Sequence, residues 1–154
     1  MTDHEAQVAD LIRGAFSGVV LGDGVGLWQG QALDDYAPIE EQQRARLRDE
    51  ALDWRRISIA DLNRCHSSLS FFDAEGMRFH LPAFLLADLD GTFNFEVVFT
   101  LTSVVATEHN RARFAGLNAP QREAVRRFLL LRRADDFDRP AIDAAIESYW
   151  GPAT

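Results

Sequence analysis

The chain has 154 residues and a mass of 17.3 kDa, with 47% hydrophobic and 26% charged residues, which is the size and composition of one compact soluble domain. All 16 basic residues are arginine, and they face 24 acids, so the net charge is −8. The lack of lysine excludes Schiff-base catalysis, pyridoxal-phosphate attachment and the lysine-containing phosphate loop of nucleotide-binding proteins. We therefore predict a single domain over residues 1–154.

A single cysteine, Cys65, excludes an internal disulfide and every zinc site that needs two or more cysteines. The N-terminus has neither the basic nor the apolar part of a signal peptide, and no run approaches the roughly 18 apolar residues that cross a bilayer. We predict a cytoplasmic protein without a membrane segment. The pI near 4.9 argues against nucleic-acid binding and favours a basic partner.

The charges are segregated along the chain. Residues 1–110 carry 18 acids and 8 arginines, residues 111–133 carry 7 arginines and one glutamate, and residues 134–154 carry 5 acids and one arginine. Their net charges are −10, +6 and −4. The arginine-rich segment is therefore expected either to pair with the protein's own acids or to bind a charged partner.

The first segments show helix and turn signals. Thr2 and Glu5 have the spacing of a capping box before an amphipathic helix that ends at Gly18. Residues 18–30 contain five glycines, which predicts a loop or short hairpin whose glycines serve backbone turns, because no lysine follows to bind phosphate.

Two helical segments are predicted next. An exposed, salt-bridged helix is expected from Ile39 to Leu52, followed by Trp54 docking on the core. Ser58 caps a short helix to Cys65, whose thiol we interpret as structural.

The aromatic stretch at 69–84 predicts a turn and then a helix. Asp73 caps one turn ending at Gly76, and Pro82 begins a helix that runs to about Leu89. His80, just before that helix, is interpreted as a hydrogen-bonded structural residue, since no carboxylate or serine has the local spacing to support it as a general base.

Residues 93–102 alternate between apolar and polar side chains over most of their length, which predicts a β-strand. Its partners would be residues 18–28 and 77–81. The fold class is accordingly α+β, mainly helical with a small β element, and the alternative is an all-α fold in which residues 93–102 form a buried helix.

Two helices complete the chain. Asn118 and Gln121 open the arginine-rich helix that runs to about Arg133, and Asp138 with Pro140 opens the last helix. For the arginines we expect pairing with acids of the same chain rather than binding to nucleic acid.

The chain resembles a family of short bacterial proteins of unknown function. The resemblance is carried by residues 69–84, together with residues 21–27, Asp53-Trp54, residues 117–121 and the ending Ser148-Tyr149-Trp150. It extends over most of the chain in the same order. It implies a small bacterial cytosolic protein and carries over no chemistry.

Residues 84–92 also resemble the first motif of the haloacid-dehalogenase phosphatases, an apolar strand followed by D-x-D-G-T. This resemblance implies magnesium-dependent catalysis with Asp88 as nucleophile and Asp90 as general acid/base. Further positions that it implies are a phosphate-binding hydroxyl at Thr102 or Ser103 and a later acidic pair at Asp135-Asp136.

The leading functional hypothesis is a protein-binding protein of the immunity or antitoxin type, whose acidic surface neutralises a basic toxin. It involves no cofactor, no metal and no catalytic residue, and it leaves the oligomeric state open. The phosphatase is the alternative. The predicted partner-binding residues combine aromatic anchors with carboxylates: Trp28, Asp34, Asp35, Tyr36, Glu40 and Glu41.

Overall fold

The computed structural model describes residues 1–152, which contain nine α-helices and no β-strand. The helices are α1 (Asp3–Ala15), α2 (Leu27–Asp34), α3 (Ile39–Arg48), α4 (Ile59–Arg64), α5 (Ala74–Leu89), α6 (Val98–Thr102), α7 (Glu108–Ala112), α8 (Ala119–Ala134) and α9 (Arg139–Ala145). Short 3₁₀ turns lie at Trp54–Arg56, His66–Ser70 and Ser103–Val105, and a π turn at Ile146–Trp150 follows α9. The fold class is all-α.

The predicted strand at residues 93–102 is therefore wrong, and with it the α+β fold class. Residues 93–97 are irregular and α6 begins at Val98. The alternating apolar residues belong to two rows spaced by four: Phe93, Val97 and Leu101 are buried, whereas Phe95 and Phe99 are exposed. In a strand, all five alternating residues would lie on one face, whereas here they divide between the core and the surface.

Helix α5 is the centre of the fold, with 11 of its 16 residues buried. Asp73 caps it by accepting a hydrogen bond from the Gly76 backbone N–H at 2.8 Å. The helix runs without a break through Pro82, so the predicted helix start at Pro82 is wrong. The ring removes one backbone N–H from the ladder, and burial of the apolar side chains on both sides offsets that loss.

Helices α1 and α8 pack against each other, and α1 also packs on α5. The predicted caps of these helices are confirmed: Thr2 accepts from the Glu5 N–H, and Asn118 and Gln121 form a reciprocal capping box. The Gln121 amide also donates to the Ala15 carbonyl at 3.2 Å, which ties the start of α8 to the end of α1.

Two buried tryptophans fasten irregular segments to the core. The Trp54 indole N–H donates to the Phe16 carbonyl at 2.9 Å, as expected for a tryptophan docking on the core. The Trp150 N–H donates to the Leu101 carbonyl at 2.8 Å and so joins the C-terminal π turn to α6. Each indole buries a large apolar surface while its polar atom keeps a partner.

The predicted helix after Tyr36 is four residues shorter than expected, because α3 ends at Arg48. The helix capped by Ser58 is present as α4. None of the helices within residues 1–152 has the length and apolar character that crossing a bilayer requires. That the whole chain forms one domain stays a prediction.

Candidate functional site

Helices α2 and α3 form a hairpin joined by residues 35–38. Its inner helix, α2, lies against the His66–Ser70 turn, where a Cβ on Gly30 would come within 2.7 Å of the Ser68 side chain. Glycine is therefore needed at this contact, and the Ser68 hydroxyl donates to the Leu27 carbonyl at 2.6 Å. The outer helix, α3, packs on α2 and has no buried residue.

Polar contacts, not apolar burial, close the base of this hairpin. Gly26 has no side chain with which to cap α2, and the Asp49 carboxylate takes that place by accepting from the N–H groups of Trp28 at 2.7 Å and Gln29 at 3.2 Å. Burial raises the pKa of Asp49 even though these hydrogen bonds oppose the shift. The residue that follows α3 thus caps α2.

Arg46 makes the second polar contact of the base. Its guanidinium donates to the carbonyls of Gly22 at 2.7 Å and Gly24 at 3.1 Å. A Cβ on Gly24 would lie 2.7 Å from the Gly76 nitrogen, so the glycine-rich loop rests directly on the start of α5. The sequence predicted simple turn glycines here, and close backbone approach is the additional reason for Gly24.

Tyr36 lies at the tip of the hairpin. Its side chain is 95% exposed, and its backbone has φ of 55°, in the left-handed region that favours glycine or asparagine. Ile39 and Leu47 on α3 are also exposed, at 59% and 87%. The hairpin therefore presents three large side chains to solvent, Tyr36 at its tip and Ile39 and Leu47 on α3.

The structure brings four of the six predicted partner-binding residues together. Trp28, Asp35, Tyr36 and Glu41 line a groove of about 480 Å³ between α2 and α3, which we call the hairpin groove. Glu40 is exposed on the first turn of α3, outside that lining. Asp34 lines a second groove, described below.

The hairpin groove is not purely acidic. Arg44, Arg48 and Arg64 also line it, and the Arg48 guanidinium lies over the Trp28 ring at 5.4 Å. That cation–π contact occupies one face of the predicted tryptophan anchor. The acidic character predicted for this surface is thus concentrated at the tip, where Asp35, Glu40 and Glu41 are exposed around Tyr36.

The second groove, of about 250 Å³, was not predicted from the sequence. We call it the aromatic groove, because its lining includes Phe71, Phe93, Phe95, Phe99 and His66, with Asp34 and Glu96 as its carboxylates. No local period in the sequence indicates it, because Phe95 lies in the irregular segment before α6 and Phe99 lies in α6. The nearness of Phe71 depends on the tertiary fold.

Most arginines of residues 111–133 form hydrogen bonds or ion pairs with groups of the same chain. Arg132 pairs with Asp88 at 2.8 Å and Arg133 with Asp143 at 2.5 Å, and both of Arg126's bonds go to Glu123. Three others donate to backbone carbonyls: Arg111 to Val104, Arg113 to Leu69 and Arg122 to Tyr149. The expected pairing with the protein's own acids is confirmed for three of the seven arginines, and three more bind backbone.

His80 and Cys65 are buried. The His80 Nδ1–H donates to the Gly76 carbonyl at 2.7 Å, its ring stacks on Phe72 at 4.3 Å, and burial lowers its pKa to about 4. Burial raises the pKa of Cys65 to about 12, which keeps its thiol protonated and unreactive at neutral pH. Both fit the structural roles predicted for them.

The geometry gives the phosphatase hypothesis no support. Asp88 lies within α5 rather than after a strand, and its carboxylate is held by Arg132 and by the Val97 N–H at 2.9 Å. The hydroxyls of Thr102 and Ser103 bond to carbonyls of their own turn. Asp90 caps the C-terminus of α5, and Asp135 and Asp136 lie beyond α8, where they pair with Arg132 and Arg139. Within residues 1–152 no group of three or more histidine, cysteine and carboxylate side chains is placed to hold a metal ion.

A family model described as "Family of unknown function (DUF6714)" matches residues 4–154. The chain therefore belongs to this family. No curated protein and no solved structure matches the chain. The resemblance to a family of unknown function is confirmed, and the family brings no assigned chemistry to either groove.

Proposed function

We propose that this chain acts by binding a basic protein partner through the tip of the α2–α3 hairpin. The observation that carries the proposal is Tyr36, an almost fully exposed aromatic side chain held at the tip in a left-handed backbone conformation. Such a conformation costs free energy in a residue other than glycine or asparagine. The left-handed backbone ends α2, because it lets the Ala37 N–H donate to the Ala32 carbonyl at 3.0 Å and the Tyr36 N–H donate to the Leu33 carbonyl at 3.2 Å. The exposed ring takes no part in these bonds and is available for contact with a partner.

The chemistry of the tip fits protein recognition. Tyrosine is enriched among the residues that dominate interface energies, and it loses little side-chain entropy on binding. Ile39 and Leu47 add exposed apolar area on the same hairpin. Asp35, Glu40 and Glu41 are exposed near Tyr36 and Ile39, and their negative charge would steer a basic partner to the tip.

The charge distribution supports a basic partner. Six of the seven arginines in residues 111–133 are bonded to acids or carbonyls within the chain. The positive segment is thus engaged internally, whereas the carboxylates at the hairpin tip remain in solvent. A net charge of −8 accelerates encounter with a basic protein and slows encounter with nucleic acid.

The more specific form of the proposal is a bacterial immunity-type protein that neutralises a basic toxin. Its support is small size, acidity and the resemblance to short bacterial proteins. The test is co-expression with a toxic product of a neighbouring gene. We expect the wild-type chain to protect growth and Tyr36→Ala to give no protection. If the wild-type chain protects against none of these products, the immunity role is wrong.

The binding proposal itself is tested by affinity capture from the source organism, followed by titration of the purified partner. The site variant is Asp35→Asn/Glu40→Gln/Glu41→Gln, and the matched control is Asp90→Asn/Glu108→Gln/Glu147→Gln, which removes three exposed charges outside the hairpin. We expect Tyr36→Ala to weaken binding by about 2 kcal/mol. The site variant should slow association at low salt. The control variant should change neither the affinity nor the association rate.

A partner whose affinity and association rate are the same for wild type, Tyr36→Ala and the site variant would contradict the proposal. Circular dichroism of each variant checks that the helices are retained. Since Tyr36 and the three acids are exposed, their loss should leave thermal unfolding nearly unchanged.

A further inference from the structure

Three phenylalanines that line the aromatic groove have exposed rings. Phe71 is 38% exposed, Phe95 47% and Phe99 78%, and all three line the same groove. Scattered exposed apolar residues are ordinary in soluble proteins, but a contiguous exposed patch marks an interaction site. Three phenylalanines from two separate segments form such a patch here.

The groove is preorganised by a chain of ring contacts that begins in the core. Phe84 of α5 meets Phe93 edge-on at 5.3 Å, and Phe93 lies 5.8 Å from Phe95. The Phe95 ring then stacks on His66 at 3.7 Å with an interplanar angle of 24°. A ring held on two sides loses little freedom when a ligand binds, so the usual ordering cost is reduced.

The charge of the groove is one-sided. Asp34 from the C-terminus of α2 and Glu96 from the segment before α6 both line it, and no arginine does. This sets it apart from the hairpin groove, where three arginines are present. The only arginine bonded to a lining residue is Arg113, which donates to the Leu69 carbonyl, so among the described residues the carboxylates of Asp34 and Glu96 set the charge of the lining itself. This lining favours a ligand that carries positive charge and can lie against aromatic rings.

We propose that the aromatic groove receives an arginine side chain of the partner protein. A guanidinium is planar, stacks on aromatic faces and donates hydrogen bonds to carboxylates, so it matches phenylalanine rings flanked by Asp34 and Glu96. The inference rests on the proposed function, because it gives the basic partner a second contact. Asp34 belongs to α2, so the groove adjoins the hairpin that carries Tyr36.

The first test uses a peptide probe. Acetyl-Gly-Arg-Leu-Arg-Gly-amide is titrated into protein with isotope-labelled phenylalanine, and the ring resonances are followed by NMR. The control peptide replaces each arginine by citrulline, which keeps the shape and removes the charge. We expect the arginine peptide to shift the Phe95 and Phe99 resonances and the citrulline peptide to bind at least about fivefold more weakly.

Two variants test the residues of the groove. Phe99→Ala and Glu96→Gln should each weaken the arginine peptide by roughly fivefold. The matched controls are Leu52→Ala, an apolar residue that is 74% exposed, and Glu108→Gln, an exposed acid, neither of which lines the groove. Equal binding of the citrulline peptide, or an arginine-peptide affinity unchanged by both groove variants, would overturn the inference.

The captured partner separates this inference from the proposed function. If Tyr36→Ala weakens the partner but Phe99→Ala and Glu96→Gln do not, the groove is not a partner contact and the hairpin proposal stands. If the groove variants weaken the partner and the hairpin variants do not, the hairpin proposal fails and the groove remains as the binding site.

Discussion

Helices α5 and α3 differ as much as two helices in one chain can. In α5, 11 of 16 residues are buried, and its apolar side chains meet neighbours on all sides. In α3, none of the 10 residues is buried, and its two aliphatic side chains point to solvent. Packing decides which residues α5 can carry, whereas α3 packs only its half-buried side on α2 and leaves the rest in solvent.

The comparison supports the proposed position of the binding surface on the hairpin. A helix without buried residues adds little to stability, because most helical stability in proteins comes from packing of an apolar face. Its acids, exposed aliphatics and neighbouring Tyr36 are therefore available for contact with another molecule. In α5, by contrast, the Asp88 carboxylate pairs with Arg132 and the His80 Nδ1–H donates to the Gly76 carbonyl.

The largest expected effect contrasts a core ring with an exposed aliphatic residue. Phe84→Ala removes a fully buried ring from α5 and should lower the free energy of unfolding by about 3–5 kcal/mol. Leu47→Ala on α3, 87% exposed, should change it by less than about 0.5 kcal/mol. Urea unfolding measures both free energies. If Leu47→Ala lowered the free energy of unfolding as much as Phe84→Ala, the contrast between a stabilising α5 and an exposed α3 would be wrong.

The next effect is acid sensitivity centred on α5. The pKa of His80 is about 4 in the folded chain, against about 6.5 when unfolded, so the folded state binds the proton more weakly. Stability from this residue is present above pH 6.5 and is lost progressively down to about pH 4, by roughly 3 kcal/mol. Unfolding free energies at pH 7, 5.5 and 4.5 test this.

The control for the histidine effect is His80→Gln, which is neutral throughout that range. We expect the variant to be less stable at pH 7, because the buried ring is lost, and to have a shallower dependence on pH. A slope equal to that of the wild type would show that other groups cause the acid loss.

The smallest effect concerns the base of the hairpin. Arg46→Ala removes the bonds to Gly22 and Gly24 and should cost about 1 kcal/mol in global stability. Amide exchange in α3 should accelerate more than exchange in α5, because α3 depends on polar contacts. Arg44→Ala, an exposed residue on the same helix, is the matched control, and equal acceleration by both variants would contradict the role of Arg46.

Local signals in the sequence were sufficient for most helix starts. Thr2, Ser58 and Asn118 each have a side-chain oxygen that accepts a hydrogen bond from the backbone N–H three residues later, so the whole interaction lies within one turn. The cap of α2 could not be predicted in this way. It comes from Asp49, which lies more than 20 residues after the helix begins.

The two fold errors share one cause. Alternation at residues 93–102 and Pro82 in residues 74–89 are both local features, and tertiary packing decided against each of them. Burial of Phe93, Val97 and Leu101 on one side favours α6 and the segment before it over a strand. Burial on both sides of Pro82 keeps α5 intact despite the missing hydrogen bond.

Only the part of the candidate site that is formed by residues close in sequence could be predicted. Trp28, Asp35, Tyr36 and Glu41 are close in sequence and meet in the hairpin groove. The aromatic groove joins Phe71 to Phe95 and Phe99, which are more than 20 residues away, and only the packing of the His66–Ser70 turn against the segment before α6 brings them together. Their use in binding stays a prediction.

At position 36, the residue that would give the highest stability differs from the residue that the proposed binding needs. At φ of 55°, glycine would relieve strain of about 1 kcal/mol, so Tyr36→Gly should melt at a higher temperature than the wild type if the hairpin is otherwise unchanged. The same change deletes the exposed ring on which the proposed recognition depends. A screen for thermostability would therefore favour the replacement that a screen for partner binding would reject, and the opposite outcomes of the two screens would identify the residue without knowledge of the partner.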